Sequence, residues 1–371
     1  MNSNQPTRFF CLGFRKWKAA NLKPLISLHP GRVFFVNNLS ALKKLNPLPQ
    51  DIFIVWGYQA ISEYESYAKD LGTRFLRIED GFIRSVGLGS DLIRPSSIIF
   101  DEKGIYFDPS GPSDLEDMLN HQPFTEDDLK RAQKIRRQIV KYHVTKYNIE
   151  SHCQLEVARK NKRVIFVPGQ VEDDASIILG SGFVRTNLEL LKNARKLNPD
   201  AYIIYKPHPD VSSGNRKGRI SKNDVLKYAD KIEEQASVIS CINACDEVHT
   251  MTSLAGFDAL LRKKKVFTYG QPFYAGWGLT VDLYEEGEAF KRRTKKLKLD
   301  ELVAGALIHY PIYWDWDLRG YTTCEATIHH LVEERNRLEA SGELEKLSVG
   351  FVRRQFRKAR ILIKNILGKG F

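Results

Sequence analysis

Five segments of the chain set reactive side chains directly after short β-rich runs. In EDGFIRSVGLGS, Glu79 and Asp80 follow a run ending at Ile78 and precede Gly81, Gly87 and Gly89. Two carboxylates thus stand on a glycine-rich turn where backbone can approach a ligand closely. That suits acid or base chemistry; capping of the next element is the plainer alternative. PGQVEDDASI concentrates Glu172, Asp173 and Asp174 at another strand end. Their mutual repulsion is costly unless a cation, a proton or an electrophilic carbon uses the charge. One reading is a carboxylate nucleophile, which can attack an oxocarbenium-like sugar carbon and then leave. An exposed acidic loop is the second. A magnesium site is the third and ranks lowest, because no matching carboxylate pair stands in another loop.

In AYIIYKPHPD, Pro207 and Pro209 hold Lys206 and His208 on rigid extended backbone, so little conformational freedom is lost when the two side chains meet a phosphate. His208 can donate to a leaving phosphate oxygen and Lys206 can neutralise it. In HTMTSLAGFDALL, Thr252 and Ser253 precede a helical apolar pattern, which makes them N-cap or first-turn residues. Hydroxyls and free N–H groups at a helix start, with Gly256 for close approach, suit a phosphate; ordinary capping explains the two hydroxyls equally well. GQPFYAGWGLT sets Phe273, Tyr274 and Trp277 among Gly270, Gly276 and Gly278, a composition expected of a binding wall rather than a core.

Positioning these loops requires strands, and β-rich runs alternate with helical stretches: VFFV from Val33, IFIVW from Ile52, RFLRI from Arg74 and SSIIF from Ser96. A polar stretch from about Thr125 to Asn161 has helical spacing and reads as a connector. The alternation resumes with RVIFVPG, AYIIYKP, EVHT and KVFTYG. Parallel α/β layers in two Rossmann-like halves are therefore expected, with ligands outside the carboxyl ends of the strands. The expected division is an N-terminal half over 1–150 on the acceptor side, a nucleotide-sugar half over 151–322, and C-terminal helices with a basic tail over 323–371. KRRTKKLK from Lys291 reads as a solvated loop before a helix that begins near Leu299.

At 371 residues, 42% hydrophobic and 27% charged, the composition is that of a folded soluble protein with room for two domains. No apolar run approaches the roughly 20 residues that span a bilayer, and the N-terminus lacks a secretory signal pattern, so a cytoplasmic protein is expected. The five cysteines form an odd, scattered set, which points to buried thiols rather than a disulfide framework or a zinc site. The net charge of +12 invites an anionic partner. Seven basic residues and no acid lie between Phe351 and Phe371, so the other 350 residues carry only +5. In that tail Val352, Phe356, Ala359, Ile363, Ile366 and Leu367 recur at helical spacing, the pattern of an amphipathic helix in the interface of an anionic membrane. A helix packed on the protein body is the alternative. Nucleic acid is not an expected partner: no recognised motif accompanies the charge, and the aromatics do not interleave with the basic tail.

EDGFIRSVGLGS, PGQVEDDASI, YKPHPDV, TSLAGFDALLRKKKVFTYGQPFYAGWGLT and LDELVAGALIHYPIY, taken together and in order from about Trp56 to Tyr313, closely resemble the KpsC/LipB family of bacterial capsule polysaccharide β-Kdo transferases. The resemblance implies a GT-B-like glycosyltransferase, with two Rossmann-like domains facing a central cleft. It would move 3-deoxy-D-manno-oct-2-ulosonic acid (Kdo) from CMP-β-Kdo to a glycan or lipid-linked acceptor of a surface polysaccharide (capsule, O-antigen or lipopolysaccharide) with retention. It implies double displacement with Asp174 as nucleophile and Asp173 as the fallback, and Glu79 as base for the acceptor hydroxyl with Asp80 beside it. Gln170 and Ser176 of the same acidic segment, and Lys206, His208, Thr252, Ser253 and Gly256, would bind the donor. Arg84 would help to hold its phosphate and carboxylate. CMP leaves well enough that no metal or cofactor is expected. The work would be done at the inner membrane of a Gram-negative bacterium. The chain departs from the family in having room for one transferase module where many relatives carry two. Another nucleotide sugar, or a polyol-phosphate transfer, is the alternative.

Overall fold

The computed structural model describes residues 6–29, 31–58, 62–150, 154–157, 161–212, 214, 216–284 and 286–348. The described strands are β1 (Arg8–Leu12), β2 (Arg32–Val36), β3 (Ile52–Trp56), β4 (Arg74–Asp80), β5 (Ser97–Asp101), β6 (Val164–Pro168), β7 (Tyr202–Lys206), β8 (Lys231–Ile232), β9 (Glu247–Thr250), β10 (Lys265–Thr268), β11 (Val281–Asp282), β12 (Pro311–Asp315) and β13 (Gly320–Thr322). They form a mixed α/β protein with two sheets. The chain divides into two compact units that interleave along the sequence. One comprises residues up to Lys103, Val144–Ile149 and the residues from Ala306 on; the other comprises Gly104–His143 and Glu150–Gly305. The sequence expectation of successive domains over 1–150, 151–322 and 323–371 therefore differs from the observed division. Its reason is β12 and β13, which extend the first sheet although they follow the second in sequence.

The first sheet runs β13-β12-β5-β4-β3-β1-β2. Its β2, β1, β3 and β4 are parallel, while β5, β12 and β13 are added antiparallel. This corrects the expectation of a wholly parallel layer. Strand residues alternate between faces, and both faces are covered. Phe9, Cys11, Ile52, Ile54 and Ile78 pack on one side with Leu22, Leu25 and Ile26 of the helix Lys16–Ser27. Phe10, Leu12, Phe53, Val55 and Phe75 pack on the other with Leu42, Tyr64 and Ala68. Burial on two faces explains why these strands read as continuous apolar runs.

The second sheet, β11-β10-β9-β6-β7-β8, is parallel throughout. Ile165, Val167, Ile203 and Tyr205 line its core with Leu190, Leu191 and Ala194 of the helix Asn187–Leu197. The polar stretch from Thr125 forms the helix Glu126–Lys141, opened by a capping box between Thr125 and Asp128. The helix expected near Leu299 is Leu299–Val303. The basic loop before it is not simply solvated. Arg292 and Arg293 turn toward buried Glu116 at 2.6 and 3.0 Å, and Arg293 also donates to the carbonyls of Pro272 and Ala275. Cys11, Cys241, Cys245 and Cys324 are buried thiols. No helix among the described residues is long and apolar enough to cross a membrane. The amphipathic tail expected from Phe351 to Phe371 lies outside the described residues, as does Cys153.

Candidate functional site

In each sheet one point exists where neighbouring strands send their connections in opposite directions, and ligands of parallel α/β sheets bind outside the strand ends there. In the second sheet that point lies between β6 and β9. Gln170, just beyond β6, spans it. Its side-chain carbonyl accepts from Thr250 Oγ1, Met251 N and Thr252 N, each at 3.1 Å, and its amide nitrogen donates to Thr252 Oγ1 at 3.1 Å. Asn187 fixes Gln170 from behind, accepting from its backbone N–H at 2.8 Å and donating to its carbonyl at 2.8 Å.

The tie continues to the acidic segment. Thr252 Oγ1 donates to Ser176 Oγ at 3.3 Å, and Ser176 Oγ donates to Asp174 Oδ1 at 2.7 Å. Asp174 caps the helix Ala175–Gly180 by accepting from Ser176 N at 3.0 Å. Two donors thus hold Oδ1, and Asp174 itself is exposed. Asp173 next to it has a different setting, with Oδ1 3.1 Å from Arg216 Nε in an exposed pair. Glu172 accepts from Asn187 N at 2.8 Å and serves the local structure.

His208 joins this group. Gly169 donates to the carbonyl of Lys206 at 2.7 Å, and a Cβ on Gly169 would stand 2.8 Å from Tyr205 Oη and 3.1 Å from His208 N. The missing side chain lets the loop after β6 lie against YKPHPD and brings His208 within electrostatic reach of Asp174. His208 Nδ1 accepts from Asp210 N at 3.1 Å, so the neutral ring carries its proton on Nε2. Burial holds the imidazole below its usual pKa, against the opposing pull of Asp210 and Asp174. Lys206 is buried, with Nζ 3.7 Å from Glu150 Oε1; Glu150 also accepts from Val238 N at 2.8 Å. Its ammonium is therefore already matched to a carboxylate that the sequence reading did not single out.

Several expected ligands have other roles. Ser253 caps the helix Leu254–Leu261 through Ala255 N at 3.1 Å. Tyr274 and Trp277 are both 0% exposed, which corrects the binding wall to a core. Trp277 donates to the carbonyl of Phe273 and Tyr274 to that of Ser253. Gly256 makes room for this and not for a phosphate: a Cβ there would fall 2.2 Å from Tyr274 Oη. The irregular spacing of the aromatics hid a core in which Phe273 and Tyr274 pack on Phe257 of the helix Leu254–Leu261.

In the first unit the corresponding point lies between β1 and β3, with β4 beside β3. Glu79 and Asp80 close β4. Glu79 Oε1 accepts from Asp80 N at 3.0 Å, and burial together with the Asp80 charge raises its pKa, against the pull of Lys146 and Lys18. Arg84 is 1% exposed and donates to Asp80 Oδ2 at 2.6 Å and Ser85 Oγ at 2.9 Å. It is a buried counter-ion of Asp80, which corrects its expected place on the donor. Lys18, which the sequence reading did not single out, lies with Nζ 4.1 Å from the centroid of the Trp56 ring.

The family model for capsule polysaccharide biosynthesis proteins matches residues 51–136 and 122–313. Capsule polysaccharide modification protein LipA of Neisseria meningitidis serogroup B is 44% identical over 327 residues, covering 88% of this chain and 46% of that protein. Lipopolysaccharide-processing protein LpsZ of Rhizobium meliloti is 37% identical over 351 residues, covering 88% of this chain and 79% of that one. The chain thus spans about half the length of LipA. Among solved structures, the Thermosulfurimonas dismutans KpsC β-Kdo 2,7 transferase is similar at a TM-score of 0.73 and 37% identity, covering 88% of this chain and 99% of that one. The β-Kdo 2,4 transferase of the same organism gives a TM-score of 0.74 at 28% identity, covering 87% and 97%.

Proposed function

The chain belongs to the capsule polysaccharide biosynthesis protein family, of the KpsC/LipB kind, and from that premise we propose that it is a retaining β-Kdo transferase using CMP-β-Kdo. The observation that carries the mechanism is the pair of donors holding Oδ1 of exposed Asp174, with His208 in electrostatic reach. In the first displacement Asp174 Oδ2 bonds to the anomeric carbon of Kdo as the bond to the CMP phosphate oxygen breaks. The phosphate keeps the electron pair and accepts a hydrogen bond from His208 Nε2–H. In the second, the acceptor hydroxyl bonds to that carbon, Asp174 leaves as carboxylate, and the hydroxyl proton passes to a base. We assign that base to Glu79, supported by its raised pKa at a strand end. Gln170, Ser176 and Thr252 set the geometry of Asp174 and the phosphate.

The GT-B arrangement is part of the same proposal, supported by a layered α/β sheet in each unit taken by itself. So are an acceptor that is a glycan or a lipid-linked glycan, the absence of a metal requirement, and cytoplasmic action at the inner membrane through the basic tail. The test is incubation with CMP-Kdo generated in situ, followed by intact mass measurement. A Kdo-sized adduct that disappears in Asp174→Ala is expected; full turnover in that variant would remove Asp174 from the role.

A further inference from the structure

The segment between β7 and the helix Lys222–Leu226 carries His208 and then returns as a short strap, residues 216–219, along the acidic loop. It is tied there at three successive residues. Arg216 Nε donates to Asp173 Oδ1 at 3.1 Å, Lys217 O accepts from Glu172 N at 3.1 Å, and Gly218 O accepts from Asn187 Nδ2 at 3.0 Å. Gly218 is what lets the strap come so close: its φ is +126°, and a Cβ there would stand 2.8 Å from both Asn187 Nδ2 and Gln170 O. Arg216 Nη2 also reaches the Asp173 carbonyl at 3.4 Å, so the guanidinium lies across residue 173, one position before Asp174. Among the described residues none accepts from its Nη1.

We propose that Arg216 binds the carboxylate of the donor sugar, and that it thereby selects a sugar acid over a neutral sugar. The inference rests on the reading of Asp174 as nucleophile toward CMP-Kdo and deepens it. In an ulosonic acid the carboxylate is bonded directly to the anomeric carbon. When the attacking oxygen stands roughly 3–3.5 Å from that carbon, the sugar's own carboxylate is only one bond further away. Asp173, Asp174 and the incoming carboxylate then crowd one loop end, and their like charges oppose the approach unless a cation meets them. The neighbouring basic groups differ in what they can offer. Burial holds His208 below its usual pKa, and Arg216 presses the same way, so the ring is a neutral donor near pH 7. Lys206 is buried against Glu150 at 3.7 Å. Arg185, past the far end of the helix Ala175–Gly180, is turned to Gly182 O at 2.9 Å. Arg216 is exposed, permanently charged and held by an exposed acid, a kind of pair that contributes little and is readily exchanged. Turning from Asp173 to the sugar, its planar fork can take a carboxylate through two parallel N–H donors.

The experiment measures, on the full chain, the donor KM with freshly prepared CMP-Kdo and the inhibition constant of CMP as a competitor. Arg216→Met should raise donor KM about tenfold or more and leave the CMP constant within about twofold, because CMP carries no sugar carboxylate. Arg216→Lys keeps the charge without the fork and should fall between the two. Asp173→Asn removes the same ion pair from its other side and should leave donor KM within about threefold of wild type. An unchanged donor KM in folded Arg216→Met overturns the inference. A parallel rise in the CMP constant also overturns it, by assigning Arg216 to the phosphate. An equal rise in Asp173→Asn does the same, by making the pair a brace for the loop. Where the wild type transfers Kdo and one of these results appears, the inference fails alone. If the wild type transfers nothing from CMP-Kdo, the reading of the donor fails and takes the inference with it.

Discussion

Thr252 donates to Ser176 at 3.3 Å, and through that bond the end of β9 is tied to the carboxylate of Asp174 on a different loop. Ser176 is the middle link, so its hydroxyl should matter more than a helix first-turn serine ordinarily does. A hydrogen bond to a charged group is worth about 1.5–3 kcal/mol. If most of that is expressed only when Asp174 attacks, Ser176→Ala lowers kcat by roughly 10- to 100-fold with donor KM changed by less than about threefold. Steady-state transfer assays check this, and an unchanged kcat would reduce Ser176 to a helix residue.

Asp173 serves as the internal control for Asp174. Its pair with Arg216 is 41–42% exposed on both sides, and exposed pairs contribute only about 0–1 kcal/mol. Asp173→Asn should keep transfer within about threefold of wild type and change unfolding free energy by less than about 1 kcal/mol. Asp174→Asn should bring transfer to background. The opposite pattern would move the nucleophile by one residue.

Asp258, on the helix Leu254–Leu261, sets a pH dependence of stability. Burial pushes its carboxyl up to about 6, helped by Glu150 and opposed by Arg262. The folded chain thus binds this proton more tightly than the unfolded chain, whose carboxyl titrates near 3.8. Its favourable contribution is complete below that value and is lost as pH rises through about 6. Asp258→Asn, which stays neutral, should raise Tm above ~pH 7 and flatten the slope of Tm between ~pH 4 and ~pH 7, by an amount on the order of 3 kcal/mol. Calorimetry across that range is the measurement; an unaltered slope would refute the assignment.

Glu116 is the counter-charge of two arginines, one of which, Arg293, is almost fully buried. Removing one member of a buried pair strands the other, at a cost of about 3–5 kcal/mol. Glu116→Ala should therefore destabilise the chain by that amount in urea unfolding. Glu102→Ala, which breaks an Arg74 pair that is 58% and 44% exposed, should cost less than about 1 kcal/mol. Similar losses in the two variants would mean that burial does not govern these pairs.

Local pattern carried much of the architecture. β2 to β7, β9 and β10 all stand out as apolar runs, because burial on both faces removes the polar alternation that marks half-exposed strands. β1 and β12 were not singled out, although they have the same five-residue length as β2, β3, β5, β6 and β7. Their place beside β3 and β5 depends on partners far away in sequence. The same division holds at the site. Asp174, Ser176 and His208 were legible as residue types at strand ends, whereas the hold of Gln170 on Thr250, Met251 and Thr252 joins positions some 80 residues apart. Tyr274 misled for the converse reason: the space its ring fills is left by Gly256 on the helix Leu254–Leu261.

The interleaved course of the chain has a consequence for synthesis on the ribosome. The unit that begins first finishes last: β1 to β5 emerge early, but the antiparallel neighbour of β5 is not made until Pro311–Asp315. Every segment of the other unit has been translated by Gly305. In that interval β5 is a nascent edge with unsatisfied backbone groups, open to pairing with a neighbouring chain. Until β12 has been made and has left the ribosome, the first sheet lacks two of its seven strands, and chaperone dependence should concentrate in that window.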